Sequence, residues 1–242
     1  MTNLEPKETE IWLTEGEEKR ARVQNMFAEI APSYDLLNSV MSLSLHKRWR
    51  QIAANKLNLK RGNSALDVCC GTGDFLPILR TFVGTEGTVA GTDFCAPMLE
   101  RAASKDSAST LSLGDACQLP FASGGFDGVT VGWGIRNVPD IDLAHREIFR
   151  VLRSGGRFVS VDMAIPKNPI TRGVSQLTTQ RLLPALGRMF GKTEAYTYLP
   201  KSTERFLDRE GLAESMRSAG FNDVQFRNLF FGNICIHWGQ KS

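Results

Sequence analysis

Between Ser64 and Asp162 the chain alternates short apolar runs with helix-length segments, and that alternation restricts its possible folds more than any other feature. The runs are Ser64–Cys69, Thr88–Thr92, Thr110–Gly114, Phe126–Gly132 and Arg157–Asp162. Helical segments are expected at Phe75–Phe82, Pro97–Lys105 and Asp140–Arg153. Strands separated by crossover helices pair in parallel, and a strand covered on both faces reads as a continuous apolar run. Near the end the pattern changes, because Val224–Phe231 and Asn233–Trp238 are separated by Gly232 alone. One residue is too short for a crossover, so these two strands pair antiparallel.

The sequence predicts two regions. Residues 1–57 form an N-terminal tail and helices on the substrate side, with Val23, Met26, Phe27 and Ile30 at helical spacing, a break at Pro32, and a second helix near Leu45–Leu57. Residues 58–242 form the core. Within the core, 163–200 interrupts the rhythm with Pro166, Pro169, Gly173, Pro184, Gly187 and Gly191 and reads as an inserted lid, before a helix expected over Ser202–Ala219. At 242 residues, 42% hydrophobic and 23% charged, the chain has an ordinary globular composition. No charge-free run approaches the ~18–20 residues of a spanning helix.

The first twenty residues carry six glutamates and neither the basic nor the apolar region of a secretory signal, so a cytoplasmic location is expected. Five cysteines, odd in number and never spaced C-x-x-C, indicate neither a disulfide framework nor a metal cluster. The net charge of +3 is dispersed, which argues against nucleic acid as a partner. One stretch departs from this. Between Asp162 and Glu194 there is no acidic residue, while Lys167, Arg172, Arg181, Arg188 and Lys192 are interleaved with Leu177, Leu182, Leu183, Leu186, Met189 and Phe190. Such a segment suits peripheral contact with an anionic membrane, on its inner face for a cytoplasmic protein. It reads equally as a basic solvated helix face packed on the sheet.

Leu66 to Asp74, LDVCCGTGD, closes a buried strand on a glycine turn that opens the next helix. Such a turn brings backbone N–H groups close to a ligand. A dinucleotide site would require a third glycine where this chain has Leu76, and Asp74 places a negative charge beside the turn, unwelcome to pyrophosphate. Asp93 ends the second strand, where an acidic side chain in doubly wound folds accepts bonds from ribose hydroxyls. Asp115-Ala116 repeats the pattern after the third strand. These features describe an adenosine pocket without a diphosphate, for which S-adenosylmethionine is the candidate cofactor. The candidate cofactor residues in this pattern are Asp67, Gly71, Gly73, Asp93 and Asp115, with Ala116 beside it.

From about Phe27 to Lys241 the chain resembles the ubiquinone/menaquinone biosynthesis C-methyltransferase family, within the class I S-adenosylmethionine-dependent methyltransferases. The resemblance rests on Tyr34-Asp35, Asn38, His46 and Trp49-Arg50; on DVCCGTGD, GDACQLPF and FDGVTV; and on GIRNV, RVLRSGGR, LPKSTERF and IHWGQK. It implies an α/β, Rossmann-like seven-stranded sheet ordered 3-2-1-4-5-7-6 with the last strand antiparallel, flanked by N-terminal helices and a helical lid. It also implies cofactor contacts by Thr72, Asp93 and Asp115-Ala116, and C-methylation of a prenylated quinol: demethylmenaquinol to menaquinol, or a benzoquinol precursor of ubiquinone. Gly132 stands where many members carry a serine, so one contact is expected to be missing.

Methyl transfer leaves the protein to position, desolvate and activate the nucleophile. Gly134-Ile135-Arg136-Asn137, after the fourth strand, offers a fixed cation and an amide that suit an anion developing on a quinol oxygen. Arg136 also reads as a structural arginine paired with Asp140 or Asp142. Arginine is a poor base, so the proton is left to water, a carboxylate or His46, which also reads as a surface or capping histidine; Tyr34 reads equally as a roof for the site and as an aromatic packed at a helix junction. A lipophilic quinol is the expected substrate, and the sequence leaves a homodimer open. The alternative is a methyltransferase for another small phenolic or sterol acceptor.

Overall fold

The computed structural model describes residues 16–177 and 193–242. Strands β1 (Ser64–Val68), β2 (Thr88–Asp93), β3 (Thr110–Leu113), β4 (Phe126–Gly132), β5 (Leu152–Met163), β6 (Asn222–Leu229) and β7 (Ile234–Gln240) form one sheet. Its order is β3-β2-β1-β4-β5-β7-β6, as expected. Strands β1 to β5 pair in parallel, while β7 runs antiparallel to both β5 and β6. Ala65, Leu66 and Val68 of β1 are wholly buried because helices cover both faces of the sheet.

Helices α1 (Gly16–Ile30), α2 (Tyr34–Met41) and α3 (Leu45–Ala54) precede the sheet, with Pro32 in the 3-10 turn between the first two. Helices α4 (Leu76–Val83), α5 (Ala96–Ala102) and α6 (Ile141–Val151) provide crossovers, and α7 (Pro169–Leu177), α8 (Thr193–Arg205) and α9 (Arg209–Ser218) follow β5. One core layer packs Leu66, Val129, Phe158, Leu212 and Met216 between the sheet and α6 and α9. The opposite layer packs Trp49, Ala53, Leu76, Leu79 and Val159 against α3 and α4. Each large side chain buried in this way contributes about 1.5–3 kcal/mol.

Two expectations need correction. The helix expected over Ser202–Ala219 is two helices, because the Asp208 carboxylate accepts the Gly211 N–H at 2.8 Å and caps a new start after α8 has ended at Arg205. Strand β5 begins at Leu152 rather than Arg157, with an irregular register opposite Phe126–Gly128. The basic residues Arg181, Arg188 and Lys192, with Leu182, Leu183, Leu186, Met189 and Phe190, lie outside the described residues.

The carboxyl ends of β1 to β5 lie along one edge of the sheet. Strand β1 lies between β2 and β4, so the chain reverses its direction of travel there, the place at which open α/β sheets leave a crevice. Because β6 runs parallel to β5, the turn Phe230–Gly232 that joins β6 to β7 lies on the same edge.

Candidate active site

At the end of β1 the backbone enters the left-handed region at Cys69, Gly71 and Gly73, with φ of 54°, 54° and 82°. The Gly71 N–H donates to Asp93 Oδ2 at 2.8 Å, and the Cys95 N–H donates to Asp93 Oδ1 at 2.9 Å. One carboxylate thereby ties the glycine turn to the start of α5. Burial pushes the Asp93 carboxyl up to about 6, against the backbone N–H groups that favour its charged form. Asp115 Oδ1 accepts the Cys117 N–H at 2.8 Å, and its Oδ2 lies 3.4 Å from Arg20 Nη1.

A cavity opens between these groups. Of the residues singled out from sequence, Tyr34, Gly71, Asp93, Asp115, Ala116, Gly132 and Asn137 line it. A Cβ on Gly71 would meet nothing within 4 Å, so this part of the turn faces open space. A Cβ on Gly132 would stand 2.7 Å from the Phe75 ring; the position where a serine was expected has no room for one unless that ring moves.

Asp67, Thr72, Gly73, His46 and Arg136 stand away from the cavity wall. Asp67, on β1, is buried within the sheet, where Thr130 Oγ1 on β4 donates to it at 2.7 Å and burial pushes its pKa up to about 7. Gly73 serves packing: a Cβ there would lie 2.8 Å from the Ala102 Cβ. The Thr72 hydroxyl donates to Asp35 Oδ1 at 2.5 Å. Lys105 Nζ donates to Thr72 Oγ1 at 3.0 Å, pairs with Asp35 Oδ2 at 2.8 Å, and also pairs with Asp74. Arg50 Nη2 meets the other Asp74 oxygen at 3.2 Å. Burial favours a neutral Asp74, yet Arg50 and Lys105 together hold its pKa below the ordinary value. Asp74 is therefore neutralised inside the protein and does not present its charge to a ligand, contrary to the expectation from sequence.

His46 belongs to the same cluster. Its Nδ1 shares a hydrogen bond of 2.6 Å with Ser42 Oγ, and its Nε2 lies 3.9 Å from Asp74. Burial and the Arg50 charge bring its pKa down to about 4, so it is neutral at pH 7 and a weak base. Arg136 is buried, with Nη1 pairing with Asp162 Oδ1 at 2.5 Å and donating to the Trp133 carbonyl at 3.0 Å. Its partner is Asp162 at the end of β5; Asp140 instead caps α6, and Asp142 accepts from the Ser215 hydroxyl. Asn137 Nδ2 donates to the same Trp133 carbonyl at 3.2 Å, and its Oδ1 accepts from the Tyr198 hydroxyl at 2.9 Å.

Sequence reasoning did not single out Trp133 or Tyr198. Trp133 lines the cavity with φ of 58°, a conformation that a bulky side chain holds only under constraint. The constraint comes from its N–H donating to the Val161 carbonyl at 2.7 Å and from Arg50 stacked 4.6 Å from the ring centroid. The indole ring between a glycine-ended strand and Gly134 was the available signal. Tyr198, buried on α8, reaches Asn137 across a sequence gap of sixty-one residues, with nothing local to mark it.

Residues 14–241 match the model of the ubiE/COQ5 methyltransferase family. A demethylmenaquinone methyltransferase of Staphylococcus haemolyticus is 38% identical over 233 residues, covering 95% of this chain and 98% of that protein. One from Lactiplantibacillus plantarum is 38% identical over 226 residues, covering 90% and 95%. Among solved structures, a SAM-dependent methyltransferase of Thermotoga maritima superposes with a TM-score of 0.63 at 18% identity, covering 90% of this chain and 99% of the other. The Haemonchus contortus phosphoethanolamine N-methyltransferase 2, in complex with S-adenosyl-L-methionine, gives 0.59 at 16% identity over 80% of this chain and 52% of its own.

Proposed function

Because the chain belongs to the ubiE/COQ5 methyltransferase family, we propose that it transfers the methyl group of S-adenosylmethionine to a ring carbon of a prenylated quinol. The names of its relatives support demethylmenaquinol as the acceptor. A benzoquinol precursor of ubiquinone is the second acceptor to test. The observation that carries this reading is the pair of strand-end carboxylates, Asp93 and Asp115, lining one cavity with the open Gly71 turn. That donor set fits a nucleoside with a zwitterionic tail and leaves no cradle for a diphosphate.

In this reading Asp93 receives the ribose hydroxyls and Asp115-Ala116 the adenine end, with Gly71 supplying the close backbone approach. The cofactor provides an electrophilic methyl. The chain does the remaining work. Phe27 and Tyr34 from the N-terminal helices roof the cavity and exclude water. Asn137, held by Trp133 and Tyr198, is the amide aimed at the acceptor oxygen. Arg136 acts one layer behind it, bracing the turn through the Trp133 carbonyl and Asp162. His46 is neutral and off the cavity, so the quinol proton leaves to water or arrives already lost. Helices α1 to α3 form the acceptor side, and the protein works at the inner face of a membrane.

The test is an incubation of purified protein with methyl-labelled S-adenosylmethionine and a short-chain demethylmenaquinol or the matching benzoquinol, with mass spectrometry locating the label. Label on a ring carbon of either supports the reading. Cofactor binding without ring methylation of either acceptor overturns it.

A further inference from the structure

The β6–β7 turn places two consecutive phenylalanines, Phe230 and Phe231, in the left-handed region with φ of 46° and 56°. Phe231 is 76% exposed. A bulky residue held in that region and then left in water is strained without the packing that usually compensates it. The neighbouring segments present further apolar side chains: Leu43, between α2 and α3, is 78% exposed, and Ile170, at the start of α7, is 77% exposed. These elements meet on the ligand edge of the sheet. Gly232 packs on Pro166, the Ser175 hydroxyl donates to Asn233, and Phe230 lies 5.6 Å from the Trp49 ring centroid. Trp49 in turn lies 6.3 Å from Trp133, which lines the cavity. A row of aromatic rings thus leads from the exposed turn to the cavity wall.

Exposed Asp208 and Glu210 flank Arg209, which donates to the Ile165 and Gly232 carbonyls at one side of this rim. The segments that carry the exposed apolar side chains are basic: residues 36–66, 163–177 and 224–242 contain no aspartate or glutamate. Lys47, Arg48, Lys167, Arg172 and Arg227 are exposed on them. Among the described residues no helix is long and apolar enough to cross a membrane.

We propose that Leu43, Ile170, Phe230 and Phe231 form a docking face for an anionic lipid bilayer, with the surrounding lysines and arginines on its headgroups. This deepens the reading of a lipid-borne quinol acceptor and rests on it. Apolar side chains inserted at the headgroup boundary and cations attracted to anionic lipid reinforce one another, and neither alone holds a protein stably.

The experiment is flotation with vesicles of phosphatidylcholine alone and of phosphatidylcholine with phosphatidylglycerol, at low and high salt. The wild type binds the anionic vesicles and releases as salt rises. A Leu43→Ser/Ile170→Ser/Phe231→Ser variant loses at least about tenfold in partitioning, with its melting temperature and its methylation of a short-chain acceptor free of vesicles unchanged. Phe231→Gly relieves the left-handed strain, so it weakens partitioning without lowering the melting temperature, which a packing role for Phe231 would not allow. Equal partitioning by wild type and triple variant, binding indifferent to phosphatidylglycerol, or no binding by either overturns the docking face. The acceptor assay separates the two readings: ring methylation without vesicle binding retires the face alone, and vesicle binding without methylation retires the function.

Discussion

Replacing Arg136 with alanine removes the guanidinium from Asp162, whose carboxyl is 2% exposed and whose Oδ2 has no hydrogen-bond partner. Breaking a buried pair from one side leaves an uncompensated charge, at a cost of about 3–5 kcal/mol. For a domain of this size each kcal/mol shifts the melting temperature by about 2–4 °C, so Arg136→Ala melts about 6–20 °C below wild type. The pH dependence follows from Asp162. Burial raises its pKa and Arg136 pulls it back; in the variant burial remains, opposed by backbone hydrogen bonds such as that of the Met163 N–H to Asp162 Oδ1. A carboxyl whose folded pKa lies above its unfolded value near ~3.9 costs the folded state nothing below that value and more as pH rises through the folded pKa. The deficit is therefore smallest near pH 4 and grows toward neutrality. Adding Asp162→Asn recovers part of the loss, because a buried amide carries no charge. Scanning calorimetry from pH 4 to 8 on the wild type and the two variants, with turnover of the short-chain acceptor measured beside it, is the assay. An Arg136→Ala protein that melts with wild type yet loses about 10²–10³ in kcat would refute the bracing role and return the guanidinium to the reacting centre.

Asp93→Ala weakens S-adenosylmethionine binding by about 1.5–3 kcal/mol, roughly 10- to 150-fold by titration calorimetry, the range for hydrogen bonds to a charged group. Because the Asp93 pKa stands at about 6, wild-type affinity holds above neutrality and declines as pH falls below 6 and the carboxylate takes a proton; a flat profile removes Asp93 from the site. Gly73→Ala meets both the Ala102 contact and a φ of 82°, and destabilises by about 2–5 kcal/mol in urea unfolding. Gly132→Ser, with ordinary backbone but the Phe75 ring 2.7 Å from its Cβ, costs about 1–3 kcal/mol. Full stability of Gly132→Ser would mean that the ring moves aside freely.

The sheet was legible because its strands are covered on both faces, so apolar runs such as Ser64–Val68 and Phe126–Gly132 state their own limits. The α8–α9 break was not, since it depends on one capping bond from Asp208 rather than on periodicity. In the site, Asp93 and Asp115 could be placed because a strand end determines where its side chain arrives. Thr72 could not: which way a turn hydroxyl points depends on Asp35 and Lys105, brought there from α2 and the end of α5. Arg136 shows the same limit, because its partner Asp162 is twenty-six residues away on another strand while nearer carboxylates are engaged elsewhere. The displacement of the His46 pKa likewise depends on burial and on Arg50, and burial is a property of the assembled fold.

Helix α2 buries one side chain, Leu37, and is otherwise fastened by Asp35 to the three-donor ammonium of Lys105 and to the Thr72 hydroxyl. At one end it meets the 3-10 turn at Pro32, and at the other the left-handed pair Leu43–Ser44. A segment held by Leu37, the contact of Tyr34 with Phe27 and one ion cluster opens at a free-energy cost well below that of unfolding the sheet beneath it. Its amide hydrogens accordingly exchange with solvent through local opening, ahead of those of β1, and faster as ionic strength rises, because salt screens the Lys105 cluster while leaving burial intact. Tyr34 travels with α2, so its share of the cavity roof opens on the timescale of that helix, whereas Phe27 belongs to α1.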